Sequence, residues 1–249
     1  DSMKQSKKRL SRVKRDSLSL AVIVTILLGS AAPTLAAVND DPLVTMVLID
    51  GLEVSSADES NPWVLHGQAW VGHDLKKIWF KTEVENADSD VEEAEIQALY
   101  SQAVSPFWDF QIGLRHDYQP HLKRTWGVIG LQGLAPYYFE IDSAFFIAEN
   151  GHTALRLDME YELLFTQRLI LTPEIEVNFY GQNDAEFGTG SGLSNIETGL
   201  RLRYEIRREF APYIGVNWSK SFGNTAGFSR DEGEDVEDLQ WVIGVRAWF

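Results

Sequence analysis

The chain has 249 residues, 37 acidic against 22 basic side chains, and a net charge of −15 at pH 7, a balance that repels nucleic acid and attracts cations. It contains no cysteine, which excludes a lipid-anchored cysteine, a disulfide framework and thiolate metal sites, so any metal must be held by oxygen, imidazole or thioether.

Chain order begins with export. Lys4, Lys7, Lys8, Arg9, Arg12, Lys14 and Arg15 precede an apolar run from Leu18 to Leu28 that is too short to cross a bilayer as a helix. A small-residue stretch follows, with Thr34-Leu35-Ala36 as the cleavage site, so residues 1–36 read as a signal peptide. Removing its seven basic and two acidic residues leaves a mature net charge of about −20. Residues 37–42 form a short acidic lead, and residues 43–249 the folded domain.

From Leu43 onward the chain is a succession of alternating segments, expected as strands at 43–54, 63–73, 76–86, 92–104, 106–118, 121–134, 136–148, 152–165, 168–180, 193–206, 211–221 and 238–249. The clearest is 153–165, where Leu155, Leu157, Met159, Tyr161 and Leu163 share one face and Arg156, Asp158, Glu160 and Glu162 the other. The period is two, which excludes an amphipathic helix. Connections alternate between tight (74–75, 105, 135, 166–167, 207–210) and mostly longer, polar ones (55–62, 87–91, 119–120, 149–151, 181–192, 222–237). Short periplasmic turns and long extracellular loops produce this alternation in an outer-membrane barrel. The last strand carries Trp241, Ile243, Val245, Ala247 and Phe249 on one face, which resembles the terminal signal read by the outer-membrane assembly machinery.

The expected fold is therefore all-β: a transmembrane antiparallel up-and-down β-barrel of about twelve strands, both termini periplasmic and the outer wall against outer-membrane lipid. No backbone group can stay unpaired in hydrocarbon, so the first strand must pair with the last.

Parity points Glu83, Asp109, Glu140, Asp142, Asp158, Glu160, Glu162, Glu174, Glu176, Glu197 and Glu205 into the lumen, together with Glu95 and the bases Lys81, Arg115, Arg156, Arg201, Arg203 and Arg246. Acids exceed bases, and the set reads either as cross-strand ion pairs that stiffen a narrow barrel or as a cation conduit. His116 and His121 flank an outer turn beside Asp117, and His152 opens a strand at the next outer turn; these, with His66 and Met46, are the candidate metal ligands. His116 falls on the lipid-facing parity. No G-x-S-x-G elbow and no serine–histidine pair suggests a hydrolase.

The stretches DPLVTMVLIDGLE (41–53), WVLHGQAWVGHDLKKIWFKTEVE (63–85), AEIQALYSQAVSPFWDFQIGLRHD (94–117), GLAPYYFEID (133–142), LLFTQRLILTPEIEVN (163–178) and GLRLRYEIRREFAPYIGVNW (199–218) resemble the copper resistance protein B family. That resemblance implies a non-enzymatic outer-membrane component of a copper-tolerance system, with copper ions bound or carried across and a periplasmic multicopper oxidase as partner. Two alternatives stand beside copper passage: a structural barrel that docks the oxidase, and an outer-membrane hydrolase. Many members precede the barrel with a methionine- and histidine-rich segment; here about six residues separate the expected cleavage site from the first strand, which places the expected function on the barrel.

Overall fold

A computed structural model describes residues 41–56, 62–87, 90–120 and 122–249. The expected signal peptide, most of the lead and His121 lie outside the described residues.

Thirteen strand segments form one antiparallel sheet: β1 (Val44–Ser55), β2 (Trp63–His73), β3 (Lys76–Ala87), β4 (Asp90–Ser105), β5 (Trp108–Tyr118), β6 (Lys123–Ala135), β7 (Phe139–Ala148), β8 (Thr153–Glu160), β9 (Leu163–Leu164), β10 (Leu169–Tyr180), β11 (Gly192–Tyr204), β12 (Phe210–Ser221) and β13 (Glu237–Trp248). Each strand pairs with its neighbour in sequence, and β1 pairs with β13 through Leu48↔Trp248 to Ser55↔Val242, which closes the sheet. Segments β8 and β9 are two parts of one stave, so the barrel has twelve. Closure leaves no edge whose N–H and C=O groups face hydrocarbon.

The interruption in the eighth stave has a local cause. Tyr161 donates its N–H to the carbonyl of Pro173 on β10 at 3.1 Å. Proline has no N–H with which to return the bond, so the ladder lapses at Tyr161–Glu162 before resuming at Leu163.

Outside, the alternation presents an apolar belt: Ile78, Phe80, Ile96, Ile112, Leu114, Ile129, Leu131, Leu157, Leu200, Ile214 and Ile243 are all exposed. Phe107, Tyr137, Tyr138, Phe165, Phe210 and Phe249 add an exposed aromatic girdle at the end that carries the short turns. No helix among the described residues is long and apolar enough to cross a membrane. Tyr137 and Tyr138 both take positive φ (69° and 68°) in the tight turn between β6 and β7, a backbone twist that joins adjacent antiparallel strands.

Inside, an apolar cluster and a polar cavity share the barrel. Leu99, Trp126, Val128, Phe146, Ala148 and Ala154 pack as a buried apolar cluster against one wall. A cavity of about 1110 Å³ remains beside it, lined from Ser55 and Ser221 at one end to Leu134 and Arg246 at the other. The loop expected at 222–237 contains a helix the alternation did not announce, α1 (Thr225–Glu232).

Candidate functional site

The cavity wall is acidic. Among the described residues fifteen carboxylates and seven arginine or lysine side chains line it. Strand register explains how they meet. On one wall Asp142, Asp158, Glu176 and Glu197 stand directly opposite one another across β7, β8, β10 and β11. One step nearer the terminus-bearing end, Glu140, Glu160 and Glu174 repeat the arrangement. On the facing wall His66, Glu83, Glu95 and Asp117 are in register across β2 to β5. Directly opposed like charges destabilise a sheet, so rows of this kind exist at the expense of stability.

The two walls form one site. Glu83 lies close enough to Glu95 and Glu176 to repel them, and Glu197 close enough to repel Glu176 and Glu83. Arg156 spans the gap, with Nη2 3.2 Å from Glu95 and Nε 3.5 Å from Glu176. Arg115 holds Glu95 from the other side at 2.8 Å. Both guanidinium groups approach the ring of Phe146, at 4.8 Å and 5.9 Å, so the apolar cluster carries the cations that anchor the acids. Nearer the terminus-bearing end Arg201 is shared between Glu53 (2.5 Å) and Glu174, and Gly199 leaves the space that the Arg201–Glu174 pair fills. Arg203 and Arg246 share Glu162 at 2.6 and 3.5 Å, and Arg246 also reaches Asp50 at 3.0 Å.

These bases do not satisfy every acid. Glu140, Asp158, Glu160 and Glu197 have no lysine or arginine nitrogen within ion-pair distance among the described residues, and Glu197 accepts a bond from the Asn195 amide at 3.2 Å. Asp142 pairs with Lys81, Asp109 lies 3.6 Å from Lys77, and Glu205 lies 3.9 Å from Arg208. The result is a ring of carboxylates with one imidazole, His66, whose Nδ1 is 3.8 Å from Glu83. Such a ring offers hard oxygen donors to a cation and an unfavourable field to an anion.

The candidate rim ligands are not brought together. His116 is exposed on the outer face and shares a hydrogen bond with the Thr125 hydroxyl at 3.0 Å. Asp117, one residue on, points inward and takes the Arg115 guanidinium at 2.6 Å and the Trp126 indole N–H at 2.8 Å. His152 sits three staves away at the head of β8, 3.1 Å from Asp184. Met46 is half-buried opposite Trp70 on β2. No group of three or more histidine, aspartate and glutamate side chains among the described residues is arranged to hold a metal ion.

Several lining residues escaped the parity reading. The register of β1 shifts at Ile49/Gly51, which turns Glu53 and Ser55 inward while Leu52 and Val54 face out. Glycine at that point is the visible trace of the bulge. Glu85 and Glu93 follow the same alternation as Glu83 and Glu95, and Arg124 lies inward beside Trp126.

Residues 43–249 match the family described as copper resistance protein B precursor (CopB). The chain belongs to the copper resistance protein B family. It is 46% identical over 213 residues to copper resistance protein B of Escherichia coli, covering 86% of this chain and 72% of that one. The copper resistance protein B homolog of Pseudomonas syringae pv. tomato (strain ATCC BAA-871 / DC3000) is 44% identical over 214 residues, 85% of this chain and 72% of that one. Among solved structures the fold is similar to the NanC porin (TM-score 0.55, 12% identity, 82% of this chain and 99% of that one) and the KdgM porin (TM-score 0.52, 12% identity, 83% and 99%). The chain is thus a member of this family that folds as a porin-like β-barrel.

Proposed function

We propose that the lumen binds copper ions transiently on its carboxylate ring and lets them cross the outer membrane, with copper as the cargo rather than a resident cofactor. The observation that carries this reading is the register of Asp142, Asp158, Glu176 and Glu197 opposite His66, Glu83 and Glu95 in one open cavity. A barrel that needed only structural ion pairs would alternate acids and bases across neighbouring strands; this one sets acids against acids and, among the described residues, leaves several without a base within ion-pair distance. The donors, carboxylate oxygens and one imidazole, suit the cupric ion better than the softer cuprous ion. Because the path is lined by separate weak donors, an ion is attracted and still released. The short turns and both ends of the barrel segment lie at one end, which this reading places in the periplasm; that end would also face a periplasmic multicopper oxidase.

The test is copper entry into liposomes that contain the purified barrel and an encapsulated copper-sensitive dye. Wild-type protein admits copper faster than empty liposomes. The Glu83→Gln/Glu176→Gln/Glu197→Gln variant slows entry by about tenfold, the loss expected when a charged selectivity ring is neutralised. Entry no faster than in empty liposomes, or a triple variant as fast as wild type, contradicts the proposal.

A further inference from the structure

The segment 181–191 between β10 and β11 does not project away from the barrel. Asp184 pairs with its own Thr189 through two backbone hydrogen bonds (2.7 and 2.9 Å), so residues 184–189 form a small closed hairpin, with Gly188 at φ 62° helping it turn. This hairpin is tied to both sides of the mouth. On one side Asp184, 7% exposed, takes Arg124 of β6 at 2.5 Å and His152 at the head of β8 at 3.1 Å. The Arg124 guanidinium also lies 3.8 Å from the centroid of the Phe187 ring and 5.4 Å from that of Trp126. On the other side the Gly190 N–H donates to the Thr225 hydroxyl of α1 at 2.8 Å, and the Thr225 and Ser194 hydroxyls meet at 2.8 Å. A Cβ on Gly190 would fall 2.3 Å from the Thr225 nitrogen, so only glycine permits this approach.

These contacts define a crossing. Staves β7 and β8 separate β10 from β6, so at about 4.8 Å per stave the hairpin reaches roughly 14 Å to meet Arg124. Arg124 points inward from the wall, and Phe187, Gly188 and Thr189 line the cavity beside it. The chain therefore occupies part of the bore at the far mouth, where an outward loop would leave it clear.

We propose that residues 184–189 are the size-determining constriction of this barrel, pinned across the far mouth by Asp184 with Phe187 as its bulk. Hydrated metal ions pass beside it, and solutes of saccharide size are held back. The inference rests on the lumen being an aqueous path, as the proposed function requires, and adds what sets its width. Asp184 acts by position, since losing its charge frees Arg124 and the hairpin together; Phe187 acts by filling space.

The experiment compares full-length wild type, Asp184→Asn, Phe187→Ala and the outward-facing control Lys123→Ala, each shown to be folded by heat-modifiable electrophoretic mobility. Single-channel conductance in potassium chloride and sucrose entry into proteoliposomes are measured. Asp184→Asn and Phe187→Ala each raise conductance about twofold or more and admit sucrose, while Lys123→Ala matches wild type. A conducting wild type with both mouth variants unchanged overturns the constriction and leaves cation passage standing. A rise in Lys123→Ala equal to theirs overturns it too, as general loosening. No current in any variant overturns both the constriction and the passage it rests on.

Discussion

At the scale of single residues, Glu95 and its two arginines show how the acidic lumen is held together. Glu95 is 7% exposed and lies between Arg115 at 2.8 Å and Arg156 at 3.2 Å, so one carboxylate separates two cations. Gln97 adds a hydrogen bond at 2.5 Å. Removing one member of a buried ionic group leaves the others charged and unpaired, a loss of roughly 3–5 kcal/mol. Glu95→Ala is accordingly expected to destabilise the barrel by that amount in urea unfolding from detergent micelles, although it removes a repulsive neighbour of Glu83. A loss near zero would mean that water, rather than Glu95, compensates the arginines. Glu83 and Glu197, whose nearest partners are His66 and Asn195, are the residues whose neutralisation changes ion passage with little effect on stability. That Glu95, Arg115 and Arg156 face inward was legible from alternation. That they form one group was not, because Arg156 and Glu95 are 61 positions apart and meet only through closure of the sheet.

At the scale of elements, departures from regular alternation mark where side chains were misplaced by parity or elements misjudged. The β1 bulge at Ile49/Gly51 brings Glu53 inward, where it accepts bonds from Arg201 at 2.5 Å and the Tyr213 hydroxyl at 2.8 Å. Period-two reading cannot see an extra residue, so Asp50 and Glu53 went unassigned. Pro173 likewise divides one expected strand, 152–165, into β8 and β9, an effect that belongs to the partner strand and is invisible in the affected segment. The seam beside the bulge depends on glycine. A Cβ on Gly244 would fall 2.5 Å from the Tyr213 ring, which crosses β13 to reach Glu53. Gly244→Ala is expected to cost about 1–3 kcal/mol by overpacking. In a double-mutant cycle with Tyr213→Ala most of that loss disappears, because the ring that is struck is gone. Strictly additive losses would show that Tyr213 does not depend on Gly244.

At the scale of the whole molecule, the alternation of short and long connections was the most informative feature of the sequence. Together with the twelve alternating segments and the need to pair every backbone group in hydrocarbon, it points to the stave number, the closure of the first strand on the last and the common end of the barrel segment, all of which the structure shows. The inward hairpin with Phe187 and the helix α1 were not legible, since loop composition records polarity but not direction. Likewise the rim histidines were grouped by nearness in sequence, whereas β6 and β7 stand between His116 and His152 and parity turns His116 outward. The molecule is a partly filled barrel: an apolar cluster against the wall, with Arg115 and Arg156 joining it to an acidic cavity that the proposed function reads as a path. The central claim is that this path selects cations. The measurement that tests it most directly is the zero-current potential of the reconstituted barrel across a potassium chloride gradient. The account predicts a potential of the sign set by potassium, moving toward zero in Glu83→Gln/Glu176→Gln/Glu197→Gln. A potential at zero, or one set by chloride, in the wild-type protein would contradict it.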